Sequence, residues 1–73
     1  MNEILDLRGL KCPLPAMLAK KALARLSPGA VVTVLADDPL ATVDIPHMCH
    51  REGHAMECMA TRDGYTEFTI KKS

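Results

Sequence analysis

Residues 30–36 read AVVTVLA, an almost unbroken β-branched stretch between two segments of helical periodicity. β-Branched side chains are stiff at χ1 and pack best on a pleated surface, so this run is expected to be a strand in the interior of a sheet. A strand with a helix on either side leads to crossover connections, which turn right-handed and place their helices on one face of the sheet.

The remaining segments fit that frame. EILDLRG reads as a short strand, with Leu5 and Leu7 on one face and Ile4 and Asp6 on the other, ended by Gly9. From Pro13 to Leu26 the pattern is helical. At about 100° per residue, Leu18, Ala19, Ala22, Leu23 and Leu26 share one face, with Lys20, Lys21, Arg25 and Met17 opposite. Ser27-Pro28-Gly29 stops this helix. After the central strand, Asp37-Asp38-Pro39 provides an N-cap pair before a second helix over Ala41–Glu52. Pro46 lies inside that span, which predicts an irregular start or a kink. Its apolar stripe is Ala41, Ile45, Met48 and Cys49, with Asp44, His47, His50 and Arg51 outward and Gly53 just past the end. HAMECMAT then places Met56, Cys58 and Ala60 on one face of a strand. Arg62-Asp63-Gly64 signals a hairpin, and YTEFTIKK closes the chain with Phe68 and Ile70 inward. The expected fold is an α/β, two-layer βαβαββ sandwich: a four-stranded mixed sheet with two helices on one face, residues 1–73 forming one domain.

At 73 residues the chain is near the lower limit for folding without disulfides or metals. The hydrophobic share is 48%, with Tyr65 and Phe68 the only aromatics, which supplies one thin core and little material for a deep pocket. Net charge is zero, which disfavours nonspecific nucleic-acid binding. Up to Ser27, however, five basic residues (Arg8, Lys11, Lys20, Lys21, Arg25) face only Glu3 and Asp6. The first residues lack a basic segment followed by an apolar one, and the apolar runs are short, so a cytoplasmic, non-membrane protein is expected. Three cysteines (Cys12, Cys49, Cys58) argue against a disulfide framework there. His47, Cys49, His50, His54 and Cys58 are of metal-ligating type but lack paired short spacers, so no metal site is expected. Cys49 and Cys58 fall on core-facing stripes.

The segment GLKCPLP, residues 9–15, carries the chemistry. With Cys12 at the N-cap, Pro13 takes the first helical position and Pro15 the third, where neither needs an N–H. Pro13 disfavours helical geometry at Cys12, and Pro15 disfavours it at Leu14, so the helix start can slip by one residue. The sulfur is then expected at the positive end of the helix dipole, exposed by the turn at Gly9, accepting from the Leu14 N–H, with Arg8 and Lys11 favouring thiolate. If the first two strands are parallel, the Cys12 loop and the loop holding Asp37 and Asp38 meet at one sheet edge, where such sheets place their chemistry. Pro15 occupies the position of a resolving cysteine, so dithiol exchange within the motif is excluded. The histidines are expected away from this edge, which leaves no general base. A lone reactive thiol suits a carrier that accepts a group and passes it on, and persulfide sulfur fits because it moves by thiolate attack on divalent sulfur.

The segments LDLRGLKCPLP, LADDPLATVDIPHMC and GHAMECM together resemble the TusA/SirA-like sulfur-carrier family over nearly the whole chain. The resemblance implies a βαβαββ sandwich with Cys12 as persulfide carrier; no cofactor is expected. It also implies a sulfur donor, either a cysteine desulfurase or a rhodanese-like protein, and a downstream acceptor protein serving tRNA thiolation, molybdenum cofactor supply or sulfur oxidation. A monomer is expected. Asp37 and Asp38 read first as helix caps and second as groups that orient Lys11 or dock a basic partner. Lys20, Lys21 and Arg25 read first as a solvated face and second as a docking surface for an acidic partner. The alternative function is a non-catalytic regulatory or binding module that uses this basic face toward protein or RNA.

Overall fold

The computed structural model describes residues 2–73. It contains β1 (Asn2–Asp6), α1 (Leu14–Ala24), β2 (Val31–Ala36), α2 (Ala41–Glu52), β3 (Ala55–Thr61) and β4 (Thr66–Lys71). The sheet order is β1-β2-β4-β3, with β1 parallel to β2 and β4 antiparallel to both β2 and β3. The expected βαβαββ sandwich and its mixed sheet are therefore present, and the AVVTVLA run supplies an interior strand.

β2 alternates strictly between half-buried and buried residues, which is the signature of a strand with only one covered face. Val32, Val34 and Ala36 point into the layer between sheet and helices. There they meet Phe68 and Ile70 of β4, Ala19 and Leu23 of α1, and Ala41, Ile45, Met48 and Cys49 of α2. Each fully buried aliphatic or aromatic side chain of this set contributes roughly 1.5–3 kcal/mol, offset by the entropy of ordering the chain.

α1 buries Pro15, Ala19, Ala22 and Leu23. Leu18, expected on that face, is 37% exposed, and Leu26 lies past the helix end and is half-buried. The buried stripe begins at Pro15, one step round from the expected one. At the helix's far end the Lys72 ammonium donates to the Leu23 carbonyl at 2.8 Å, placing a cation where the helix dipole is negative.

α2 has the expected bounds and the expected buried stripe, but its N-cap is Leu40, with no side-chain cap bond, and not the expected Asp37–Asp38 pair. Pro46 neither ends nor interrupts the helix. The irregularity is at the entry, where Ala41, Thr42 and Val43 donate to the carbonyls three residues back. The exit is a Schellman turn, with His54 N–H on the Cys49 carbonyl, Gly53 N–H on the His50 carbonyl, and Gly53 at φ 82°.

β3 departs from expectation. Its register against β4 pairs Met56 with Ile70 but Cys58 with Thr69, so the extra residue between them, Glu57, forms a bulge. Met56 keeps the core face. Cys58, expected inward, turns to the uncovered face and is exposed. Facing pairs place Cys58 in one row with Thr69, Thr33 and Ile4 on that uncovered side.

Candidate functional site

Because β1 and β2 run parallel, both end at the same sheet edge, and the two loops that leave them are stitched together there. Leu7, buried, extends the pairing by donating to the Leu35 carbonyl at 2.8 Å. Gly9 follows at φ +90°, a left-handed conformation that favours glycine, and its N–H lies 3.0 Å from both oxygens of Asp37. Three residues on, the Cys12 N–H donates to Asp38 Oδ2 at 2.7 Å. The other Asp38 oxygen accepts the Leu40 N–H at 3.0 Å, so one carboxylate holds both the cysteine backbone and the entry to α2. These donors hold the Asp38 carboxyl below its ordinary range, the Cys12 N–H first and the Leu40 N–H second. Asp37 and Asp38 thus act through the Gly9–Cys12 backbone, and Lys11 adds only a weaker through-space attraction to Asp38.

Cys12 is not the N-cap. The helix begins one residue later, with Pro13 as the cap, Leu14 first and Pro15 second. The Cys12–Pro13 peptide is cis. Pro15 is fully buried and so belongs to the core as well as to the first turn. The Leu14 N–H is taken by the Lys11 carbonyl at 2.9 Å and does not reach the sulfur.

The thiol is half-buried and donates to Asp44 Oδ2, a residue of the first turn of α2 expected to point outward. The expectation of an ionised, uncovered sulfur is therefore corrected. The hydrogen bond to Asp44, then burial, then the negative charges of Asp44 and Asp38 raise the thiol from 9.0 to about 11. Arg8 does not assist the anion either. Its guanidinium is held by Asp6 at 2.9 and 2.8 Å and lies over the Tyr65 ring, 5.0 Å from its centroid. The same contact lowers Asp6 to about 2.

The basic residues of α1 do not form one patch. Lys20 reaches Glu52 at 3.4 Å and lines a groove between the helices with Pro13, Met17, Asp44, His47 and Arg51. Arg25 sits past the opposite end of α1, beside Glu3 and Pro28. Lys21 is exposed between them. Beside the site's carboxylates, the starts of both helices carry exposed apolar side chains: Leu14 and Met17 of α1, Leu40 and Val43 at the start of α2, are 45%, 58%, 58% and 63% exposed.

The other cysteines occupy different environments. Cys49 is buried in the core, where desolvation pushes its thiol to about 11, and Cys58 lies on the uncovered sheet face. Among the described residues no cluster of three or more His, Cys, Asp or Glu side chains forms a metal-holding group, and no helix is long and apolar enough to cross a membrane.

Sequence reasoning missed Asp44. The available signal was its place in the first turn of a helix that opens on the Cys12 edge, at the flank of the Ala41/Ile45/Met48 stripe.

A family model described as sulfurtransferase TusA matches residues 3–72. A Neisseria meningitidis serogroup A protein described as a candidate sulfur carrier is 48% identical over 70 residues, covering 96% of this chain and 95% of that protein. The sulfur carrier protein TusA of Buchnera aphidicola (subsp. Baizongia pistaciae) is 36% identical over 72 residues, covering 99% and 91%. The crystal structure of a SirA-like protein from Desulfitobacterium hafniense superposes with a TM-score of 0.85 at 38% identity, covering 94% of this chain and 95% of that one.

Proposed function

The chain belongs to the TusA family of sulfurtransferases, and from that premise we propose that it is a cytoplasmic sulfur carrier holding persulfide sulfur on Cys12. The sulfur arrives from a cysteine desulfurase or a rhodanese-like donor and leaves to a downstream acceptor protein. The observation that carries this reading is the placement of Cys12. It is the one cysteine in the loops at the carboxyl edge of the parallel strands, its backbone fixed by Asp38 and its side chain half-exposed. Cys49 is in the core and Cys58 sits mid-strand on the open face, so neither is placed in those loops to resolve a persulfide on Cys12.

The chemistry is one displacement. The Cys12 sulfur attacks the terminal sulfur of the donor persulfide, an Sγ–S bond forms, the donor's S–S bond breaks, and the donor leaves as a thiolate that takes up a proton. No electrons are gained or lost overall. The apolar collar of Leu14, Met17, Leu40 and Val43 suits burial against a partner, which would exclude water from the transferring sulfur. Lys20 and Lys21 are on the same helix as the collar residue Met17 and can meet acidic groups at its margin, whereas Arg25 lies too far along α1 to join them.

The test is intact-mass analysis after incubation with a cysteine desulfurase and cysteine, and separately with a rhodanese and thiosulfate. The wild-type chain gains one sulfur atom from at least one donor and Cys12→Ser gains none. A wild-type chain that never gains sulfur, or an equal gain by Cys12→Ser, refutes the reading.

A further inference from the structure

We infer that Asp44 is a residue of the transfer reaction: its carboxylate keeps the empty carrier in the thiol form and releases its hold when sulfur is loaded. The inference rests on the carrier role of Cys12 and adds a second group that touches the reacting atom.

The geometry is specific. Cys12 leaves the β1 edge and Asp44 projects from the first turn of α2, so the contact joins residues 32 positions apart across the two helix N-termini. Asp44 is half-buried, and its Oδ2 accepts the only proton that Sγ carries. The charged groups that act on the sulfur are Asp44 of α2 and Asp38 of the β2–α2 loop; Lys11 of the β1–α1 loop acts on Asp38, and the groove that Asp44 lines also holds Lys20 of α1 and His47, Arg51 and Glu52 of α2. Asp44 and Asp38 are the two whose charge acts directly on the thiol, and both oppose ionisation. Asp38 is already occupied by two backbone N–H donors, which leaves Asp44 as the group that bonds the sulfur.

Loading removes the basis of this contact. In the step R–S–SH plus Cys12–SH to R–SH plus Cys12–S–SH, the proton held by Asp44 leaves Sγ and the donor's departing sulfur takes up one. Sγ is then bonded to carbon and to sulfur and has no hydrogen to give. The terminal sulfur carries the remaining acidic proton one bond further out. Once that proton is lost, the new anion is repelled by the Asp44 carboxylate. The same carboxylate that quiets the empty thiol therefore turns the loaded sulfur outward, toward an acceptor.

The experiment uses the free protein and no sulfur donor, so its result is independent of whether loading occurs. The chain is labelled with cysteine carrying 13C at Cβ, and the Cys12 resonance is titrated from neutral to alkaline pH. In parallel, iodoacetamide alkylation of Cys12 is followed by peptide mapping in the wild type and in Asp44→Asn. The wild-type thiol titrates above the ordinary thiol range. In Asp44→Asn the midpoint falls by about one pH unit, and alkylation near neutral pH is about tenfold faster. A wild-type midpoint at or below the ordinary range, or unchanged midpoint and alkylation rate in a folded Asp44→Asn, overturns the inference. If Asp44→Asn does not fold, the wild-type titration decides. Sulfur loading of a wild type with an ordinary Cys12 titration would sink the Asp44 role and leave the carrier standing. A raised titration without loading would keep Asp44's hold on the thiol but overturn the carrier reading, and with it Asp44's part in transfer.

Discussion

At the scale of single residues, the site depends on backbone held by carboxylates. Asp37 takes the Gly9 N–H and Asp38 takes that of Cys12. A lysine or arginine beside the sulfur would have favoured its anion, yet the nearest arginine in sequence, Arg8, is committed to Asp6 and Tyr65. Replacing Asp38 with alanine is expected to free the Cys12 amide. Hydrogen exchange at that amide should rise at least about tenfold while the core strand β2 stays protected, because the opening is local. Unchanged exchange at Cys12 would show that Asp38 does not hold the loop. Part of this arrangement was legible from sequence. Two parallel strands with acidic residues after the second bring Asp37 and Asp38 to Cys12 whatever the details of packing. Asp44 was not legible, because its contact depends on how closely the two helices approach, which helical phase alone does not specify.

At the scale of elements, α2 was readable because stripe and C′ glycine agree on one helix and outweigh a proline in its second turn, whereas the Asp37–Asp38 pair read as its cap is spent on the Gly9, Cys12 and Leu40 amides and Leu40 is the N-cap. Gly53 is the strongest of these stops. A Cβ there would meet only Ser73 Oγ at 3.7 Å, so Gly53→Ala is strained by its positive φ and not by a clash. We expect a loss of about 1 kcal/mol in urea unfolding. β3 was misread for an equally physical reason. One extra residue in a strand flips every side chain beyond it, and Glu57 carries no glycine or proline to announce the bulge. The structure consequently predicts an order of alkylation by iodoacetamide in the unloaded protein: Cys58 first, Cys12 more slowly, Cys49 last. Cys58 is exposed, Cys12 is held as a thiol by Asp44, and Cys49 is buried. Peptide mapping of partial alkylation reads the order directly, and a Cys58 slower than Cys49 would mean that the bulge is misplaced.

For the whole molecule, small size sets the tolerance to change. Phe68 is fully buried at the centre of the core and is the only phenylalanine. Truncation to alanine costs about 3–5 kcal/mol, which is comparable with the entire stability of a domain this small. Phe68→Ala should therefore be largely unfolded by far-UV circular dichroism without denaturant. Acid acts on the edge of the sheet. Asp6 is lowered from 3.8 to about 2 by Arg8, and Asp38 is lowered by its two N–H donors. A carboxyl whose folded value is depressed adds stability that is complete above the unfolded value and fades as pH falls through the folded one. Stability should thus hold down to about pH 4 and decline between there and about pH 2, and Asp6→Asn should flatten that decline.

All of these scales serve one claim, that a single thiol at the edge of the sheet receives the sulfur. The most direct measurement is tandem mass spectrometry of peptides from the chain after brief exposure to a loaded cysteine desulfurase, with free thiols blocked by a reagent that leaves persulfides distinguishable. The extra sulfur is predicted on the peptide containing Cys12, although Cys58 is the more accessible thiol. Sulfur found mainly on Cys58, or spread among the cysteines according to exposure, would contradict the account.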